Sequence, residues 1–280
     1  MQAIVLNKLS DIRALIERRA DVNMIIPESG ESALTFALGK AKGTNNFEIV
    51  HLIIDAGISK DSCNHPASTQ RNTPLCLAIE AGDASVVAKL VQHGADVEAA
   101  CDISGASPLC HALSIIQFTA NPFDSDVLAP WLGGNSPDGT DAKYGAVTKS
   151  DTAAVRQQQF VNVMNNPRHR AIAQATFKHM LPAPENLRSI IAELLDEDAN
   201  PNKVFTIPSN PDAQWTPTAH AAQVGDLEAF KLLVNAGGDT THSVLPAARS
   251  KSKIEVWDSL NIAHTYERHN IVSYLMAKPE

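Results

Sequence analysis

Few residues in this chain have the type and spacing that chemistry needs. Four cysteines, Cys63, Cys76, Cys101 and Cys110, are scattered through 280 residues, with His65 and His111 close by. Zinc sites draw on closely spaced ligand pairs, and no cysteine or histidine pair here shows that spacing. A nucleophilic thiol needs an electropositive setting, which the neighbouring residues do not supply. Gly39-Lys40-Ala41-Lys42-Gly43-Thr44 has the composition of a phosphate loop but neither its spacing nor a preceding strand, so it reads as a turn between helices. Asp138-Gly139-Thr140-Asp141 offers too few oxygens for a calcium loop and reads as a turn. His220 has no nameable partner for acid-base work and reads as a packing residue with a hydrogen bond in the stack. Arg156, Arg168, His169, Arg170, Lys178 and His179 concentrate positive charge, which an acidic chain reads as a solvated helix face. No metal, cofactor or catalytic residue is therefore expected.

Composition narrows the function classes further. Apolar content of 44% and charged content of 19% describe a packed chain, and 5% aromatics suit helices that meet through Leu, Val, Ile and Ala. A formal net charge of -8 disfavours nucleic acid and anionic membranes as partners. With no hydrophobic signal segment and no bilayer-length apolar run, the expectation is a cytoplasmic protein whose four cysteines are reduced.

The positioning elements are clearest in Asn72 to Ala99, NTPLCLAIEAGDASVVAKLVQHGADVEA. Thr73 and Pro74 suit a helix start, since proline at the first helical position gives up an N–H that has no partner there. Leu75, Ala78 and Ile79 mark one apolar face, and Gly82 suits a turn needing positive φ. Val86, Val87, Leu90 and Val91 then form a second helical stripe, which Gly94 closes. One such pair cannot bury its own face, so copies must stack.

Thr73-Pro74-Leu75, Ala78, Gly82, Val86-Val87, Leu90-Val91 and Gly94-Ala95-Asp96-Val97 stand where the ankyrin repeat carries its pattern, and the stretch resembles that family. Cys76 replaces the usual His and Glu98 the usual Asn. The resemblance implies an all-α solenoid of stacked helix-turn-helix units that binds another macromolecule, usually without catalysis.

Weaker copies flank this specimen. Met1 to Asn23 is a partial repeat with Leu9, Ile12, Leu15 and Ile16 as its second-helix stripe and Arg19 at the glycine position, a site of left-handed strain. The next copy places Ala37 and Leu38 at the alanine pair; Ala37 to Ala78 spans 41 residues against about 33 for the family, and the surplus is assigned to turns over Lys40 to Phe47. Ser107-Pro108-Leu109 and Ala112 open a fourth copy, and the next clear start is Trp215-Thr216-Pro217 with Ala221-Ala222. The gap between them admits one module inserted between the helices of the fourth repeat, or a continuous stack with a long loop and one degenerate repeat; the second is preferred here. The expected organisation is one solenoid over 1–280, with units at about 1–26, 27–67, 68–101, 102–166 with a long loop at 119–149, a degenerate 167–210, 211–255 and a cap at 256–280.

In the ankyrin family the variable contacts come from hairpin tips and from the residues after each alanine pair. Carried over, these positions include Lys40, Gln70, Asn72, Glu80, Ile103, Asp212, Trp215, Gln223 and Tyr266, with Glu28, Ser29, Glu31, Thr69, Ser104 and Thr265 beside them. Trp215 and Tyr266 are aromatics that serve either as exposed hot spots or as packing for the enlarged connectors nearby. Trp131, in the long loop, anchors that loop or meets a partner. The expected function is a monomeric, non-catalytic scaffold that holds a partner protein on its concave face and hairpin tips. Irregular spacing and the long loop look like the ankyrin proteins that intracellular bacteria deliver into host cells, which implies a host protein as partner and the host cytosol as workplace. The alternative is an enzyme with its active site in 119–184 and repeats that recruit substrate.

Overall fold

Where a threonine meets a proline, a helix begins. Thr73 accepts the Cys76 N–H ahead of α6 (Pro74–Ala81), and Thr216 accepts the Ala219 N–H ahead of α10 (Pro217–Val224). Both helices end on a left-handed glycine, Gly82 at φ 79° and Gly225 at φ 86°. An aspartate then caps the returning helix: Asp83 accepts from Ser85 and Val86 ahead of α7 (Ala84–Gln92), and Asp226 accepts from Ala229 ahead of α11 (Leu227–Asn235). Leu75, Ala78, Ile79, Val86, Val87 and Leu90, the expected apolar face, are all buried.

The computed structural model describes residues 2–26, 30–44, 46–66, 72–101, 106–120, 181–207, 210–242 and 257–277. The remaining described helices are α1 (Gln2–Val5), α2 (Leu9–Glu17), α3 (Ala33–Thr44), α4 (Glu48–Asp55), α5 (Lys60–Asn64), α8 (Pro108–Ala120), α9 (Pro184–Asp196), α12 (Ser259–Thr265) and α13 (His269–Ala277). Between α9 and α10, β1 (Phe205–Ile207) and β2 (Asn210–Trp215) form an antiparallel hairpin with Phe205 opposite Trp215, a small strand element within an all-α stack.

Two rows of helices run through the stack. Second helices pack in the order α2, α4, α7, α9, α11, α13, each on the next. First helices pack as α1, α3, α6 and again as α10, α12, while α8 meets α6 through His111 and Glu80. The chain divides into one body of Met1–Ile116 with Pro182–Glu280 and another of Gln117–Leu181. The expected loop at 119–149, Trp131, the Asp138–Asp141 turn and the helices read between 150 and 180 lie outside the described residues, apart from Thr119 and Ala120 at the end of α8.

The row order favours the other sequence organisation, with one module inserted in the fourth repeat, which we propose. α9 packs directly on α7 and on α11, and we propose that it takes the second-helix place of the repeat that α8 opens. Closing turns confirm the register. Asn23 donates to Gly57 O (3.2 Å) and accepts from Ser59 N (2.8 Å), Asn64 does the same with Gly94 and Asp96, and Asn202 with Gly237 and Asp239. Between the third and fourth repeats Glu98 takes over: Asn200 N donates to its Oε1 (2.6 Å), and Lys203 reaches its Oε2 (3.0 Å) and its carbonyl. Glu98 thus joins a turn 102 residues further along the chain.

A side chain at Gly82 would overlap the Pro182 ring, and one at Gly225 would overlap Arg268. Pro182 and Arg268 both stand just before a second helix, so the two contacts are equivalent and place α9 in the same register. The surplus in the second repeat also moves. Lys40 to Thr44 extends α3 as helix, and Lys60 to Asn64 form the extra helix α5, so the added residues are helical where turns were expected. Arg19 takes φ 59° at the glycine position, as expected.

Removing the Glu98 carboxylate leaves the Asn200 N–H without its acceptor and the Lys203 ammonium with the Glu98 carbonyl in place of the ion pair. Glu98→Ala is expected to lower stability by about 2 kcal/mol in urea unfolding, whereas loss of the surface pair Lys231–Glu228 should change it by less than about 1 kcal/mol.

Candidate interaction surface

Glu80 is the last-turn carboxylate of α6 and sits in a polar cluster that spans three repeats. Lys42, on the helical extension of α3, donates to Glu80 Oε2 at 2.6 Å, and His111 Nε2 lies 3.2 Å from Oε1. Asn72 Nδ2 reaches the same Oε1 at 3.5 Å. Burial of Glu80 pushes its carboxyl pKa up, but His111 and Lys42 together outweigh that, and it falls to about 2. The carboxylate is therefore ionised throughout the physiological range and ties first helices together, which makes it a support for the surface.

Trp215 is likewise buried, at 5% exposure, opposite Phe205 in the β1–β2 hairpin. Of the two roles read for Trp215 its burial favours packing, and Glu80, read as a contact position, is buried as well. Glu80 lies where Lys42 and His111 from the neighbouring repeats close over it. Lys40 is exposed, with Nζ 5.9 Å from the Phe36 ring centroid. Gln223 is half-buried and its carbonyl accepts from Arg268 Nε (2.9 Å), while Tyr266 is half-buried at the end of α12 and Thr265 is exposed. Glu31 is half-buried. Gln70, Ile103, Glu28, Ser29, Thr69 and Ser104 lie outside the described residues, as does the side chain of Asp212. The structure brings Asn72 and Glu80 together and leaves Lys40 on α3 and Tyr266 on α12 as separate points along the first-helix row.

Lys42 and His111 were not singled out by sequence. His111 precedes the alanine Ala112 and so falls one helical turn from the Glu80 position when the repeats are laid in register, a signal that the alanine spacing already contains. Lys42 is hidden because its place depends on α3 running past Gly39, so the phosphate-loop-like segment is helix and presents no cradle of backbone N–H groups.

Cysteine chemistry also departs from expectation. Cys76 and Cys101 form a disulfide with Cα atoms 5.5 Å apart, so the expectation of four reduced thiols is overturned for this pair. Cys63 is buried and burial pushes its pKa to about 11, so it stays a thiol. No group of three or more His, Cys, Asp or Glu that could hold a metal occurs among the described residues. His220 is buried 6.0 Å from the Phe205 ring, and burial lowers its pKa to about 4, which keeps the imidazole neutral in its packing role. Arg188, from α9, grips Asp226 with Nε and Nη2 (3.0 and 2.8 Å), fastening the cap of α11 to the preceding repeat.

Paired helices in two rows, joined at their closing turns, define an all-α repeat solenoid. Residues 40–117 match the family model of the ankyrin repeats in three copies. No curated protein matches the chain. Among the described residues, no helix is long and apolar enough to cross a membrane.

Two acid windows follow from the buried groups. His220 has a folded pKa below its unfolded value, so its contribution is complete above about pH 6.5 and is lost as pH falls toward 4; Glu80 contributes fully above about pH 4.5 and loses that as pH falls toward 2. In urea unfolding at stepped pH, His220→Gln should flatten the fall in stability between pH 6.5 and 4 by up to about 3 kcal/mol, and Glu80→Gln should leave that window alone.

Proposed function

We propose that this chain is a non-catalytic scaffold that binds a partner protein through the ends of its first helices and its hairpin tips. The single observation that carries the reading is the run of three ankyrin repeats over residues 40–117, a repeat type whose resemblance implies protein binding. Lys40, Asn72, Gln223 and Tyr266 are the described residues proposed as contacts, and Gln70, Ile103 and Asp212 join them on sequence position. Trp215 and Glu80 hold the surface in shape from beneath. A net charge of -8 favours a partner with a basic face. In its finer form the proposal makes the partner a host protein met in the host cytosol, as the resemblance to delivered bacterial ankyrin proteins implies.

Capture from cell lysate on the immobilised full chain tests this. Lys40→Glu and Tyr266→Ala should each weaken retention of a captured protein by about tenfold, with the melting temperature of each variant measured alongside to separate lost contact from lost stability. Trp215→Ala should instead lower stability by about 3–5 kcal/mol, as expected for a truncated buried aromatic. Retention unchanged in both surface variants contradicts the proposed contacts.

A further inference from the structure

One covalent bond beyond the backbone holds this chain. Cys76, on the first turn of α6, is joined to Cys101, and the other two cysteines, Cys63 and Cys110, are free thiols. Neither bonded residue has any solvent exposure. The N–H of Cys76 donates to Thr73 Oγ1 (3.3 Å), and its sulfur lies 3.1 Å from the same hydroxyl. The bond spans 25 residues and closes a loop that contains the rest of α6, all of α7 and Glu98. That loop is the third repeat, and the stack on both sides is fastened to it. On one side α6 packs on α3 and α7 on α4; on the other α7 packs on α9. Glu80, one helical turn beyond Cys76, pairs with Lys42 of α3 and His111 of α8. Glu98 holds Asn200 and Lys203.

Stability of a repeat array is close to a sum of unit stabilities and interfaces between neighbours, so a unit strengthened on its own opens later than the rest. A disulfide strengthens a unit chiefly by restricting its opened state. We infer that the Cys76–Cys101 disulfide makes the third repeat a redox-dependent anchor of the stack: with the bond closed, α6 and α7 are the last of the described helices to unfold, and with it reduced they lose that rank. Reduction takes two equivalents of a small thiol such as glutathione. The first attacks one sulfur, the sulfur–sulfur bond breaks, and the released cysteine takes up a proton; the second displaces the first as a small-molecule disulfide and leaves the other cysteine as a thiol. Because both sulfurs are buried, attack waits for the third repeat to unfold, and the bond slows its own reduction. An oxidising compartment keeps the anchor and a reducing one releases it.

Hydrogen exchange of the full chain in stepped, sub-denaturing urea, read by mass spectrometry, tests the anchor. In protein purified without reductant, iodoacetamide mapping should find Cys76 and Cys101 joined, and peptides from α6 and α7 should be the slowest to exchange. After reduction in urea and refolding in dithiothreitol, those peptides should exchange at least about tenfold faster while α13 is unchanged, and reoxidation should restore them. Cys76→Ala should match the reduced protein and ignore dithiothreitol, whereas Cys63→Ala should keep the response. Alkylation of Cys76 in native, unreduced protein, equal exchange of α6 and α7 in both redox states, or another helix that outlasts them in the oxidised chain would each overturn the inference. Should the reduced chain or Cys76→Ala fail to fold, the order of exchange in the oxidised chain still decides.

Discussion

A repeat protein stays in register only if each unit grips its neighbour at a fixed place, and here that place is the closing turn. Three asparagines bridge from one turn to the next by donating to a carbonyl and accepting an N–H. The body that holds the stack is interrupted in sequence between Ile116 and Pro182, so sequence continuity cannot enforce the grip there. Glu98 meets this constraint with a longer, charged arm that reaches Asn200 and Lys203. Charge-assisted bonds are stronger than the amide pairs they replace. Arg188 on Asp226 fastens the next junction in the same manner, so the two junctions of α9 carry ionic ties.

The regular parts of this architecture are written locally, which is why they were legible. Thr73-Pro74, Gly82-Asp83 and their copies Thr216-Pro217 and Gly225-Asp226 specify helix starts, turns and caps through contacts within a few residues, and each behaves as read. Features set by distant neighbours were not. The helical continuation of α3 through Gly39 runs against glycine's propensity, and Lys42 on that extension pairs with a carboxylate 38 residues away. The completion of the fourth repeat by α9 depends on a closing turn 102 residues from Glu98, and the sequence shows only that Glu98 stands where asparagine is usual. Trp215 was read with two roles because its burial depends on the β1–β2 hairpin, whose partner strand has no strong local signature.

The candidate surface and the buried network divide the work. Beneath the surface Glu80 pairs with Lys42 and His111 from the neighbouring repeats and ties first helices together, while the neutral His220 packs on Phe205. A buried carboxylate that lost either partner would carry a large desolvation cost, so this cluster specifies the order of the repeats as well as stabilising them. Exposed positions such as Lys40 are left to vary without disturbing that order. The disulfide adds a covalent tie between Cys76 on α6 and Cys101, which stands ahead of α8.

We propose that α8 and α9 are the two helices of one repeat, with the residues between them inserted into it. Joining Ile115 to Pro184 through a Gly-Asp turn, copied from Gly82-Asp83, removes the residues between them, including Pro182, and keeps the helix contacts of the second-helix row. Equilibrium urea unfolding of this shortened chain, followed by far-ultraviolet circular dichroism, should show a single cooperative transition with stability within about 2 kcal/mol of the full chain. Loss of cooperative unfolding, or helicity that falls below that of the helices retained, would contradict the account.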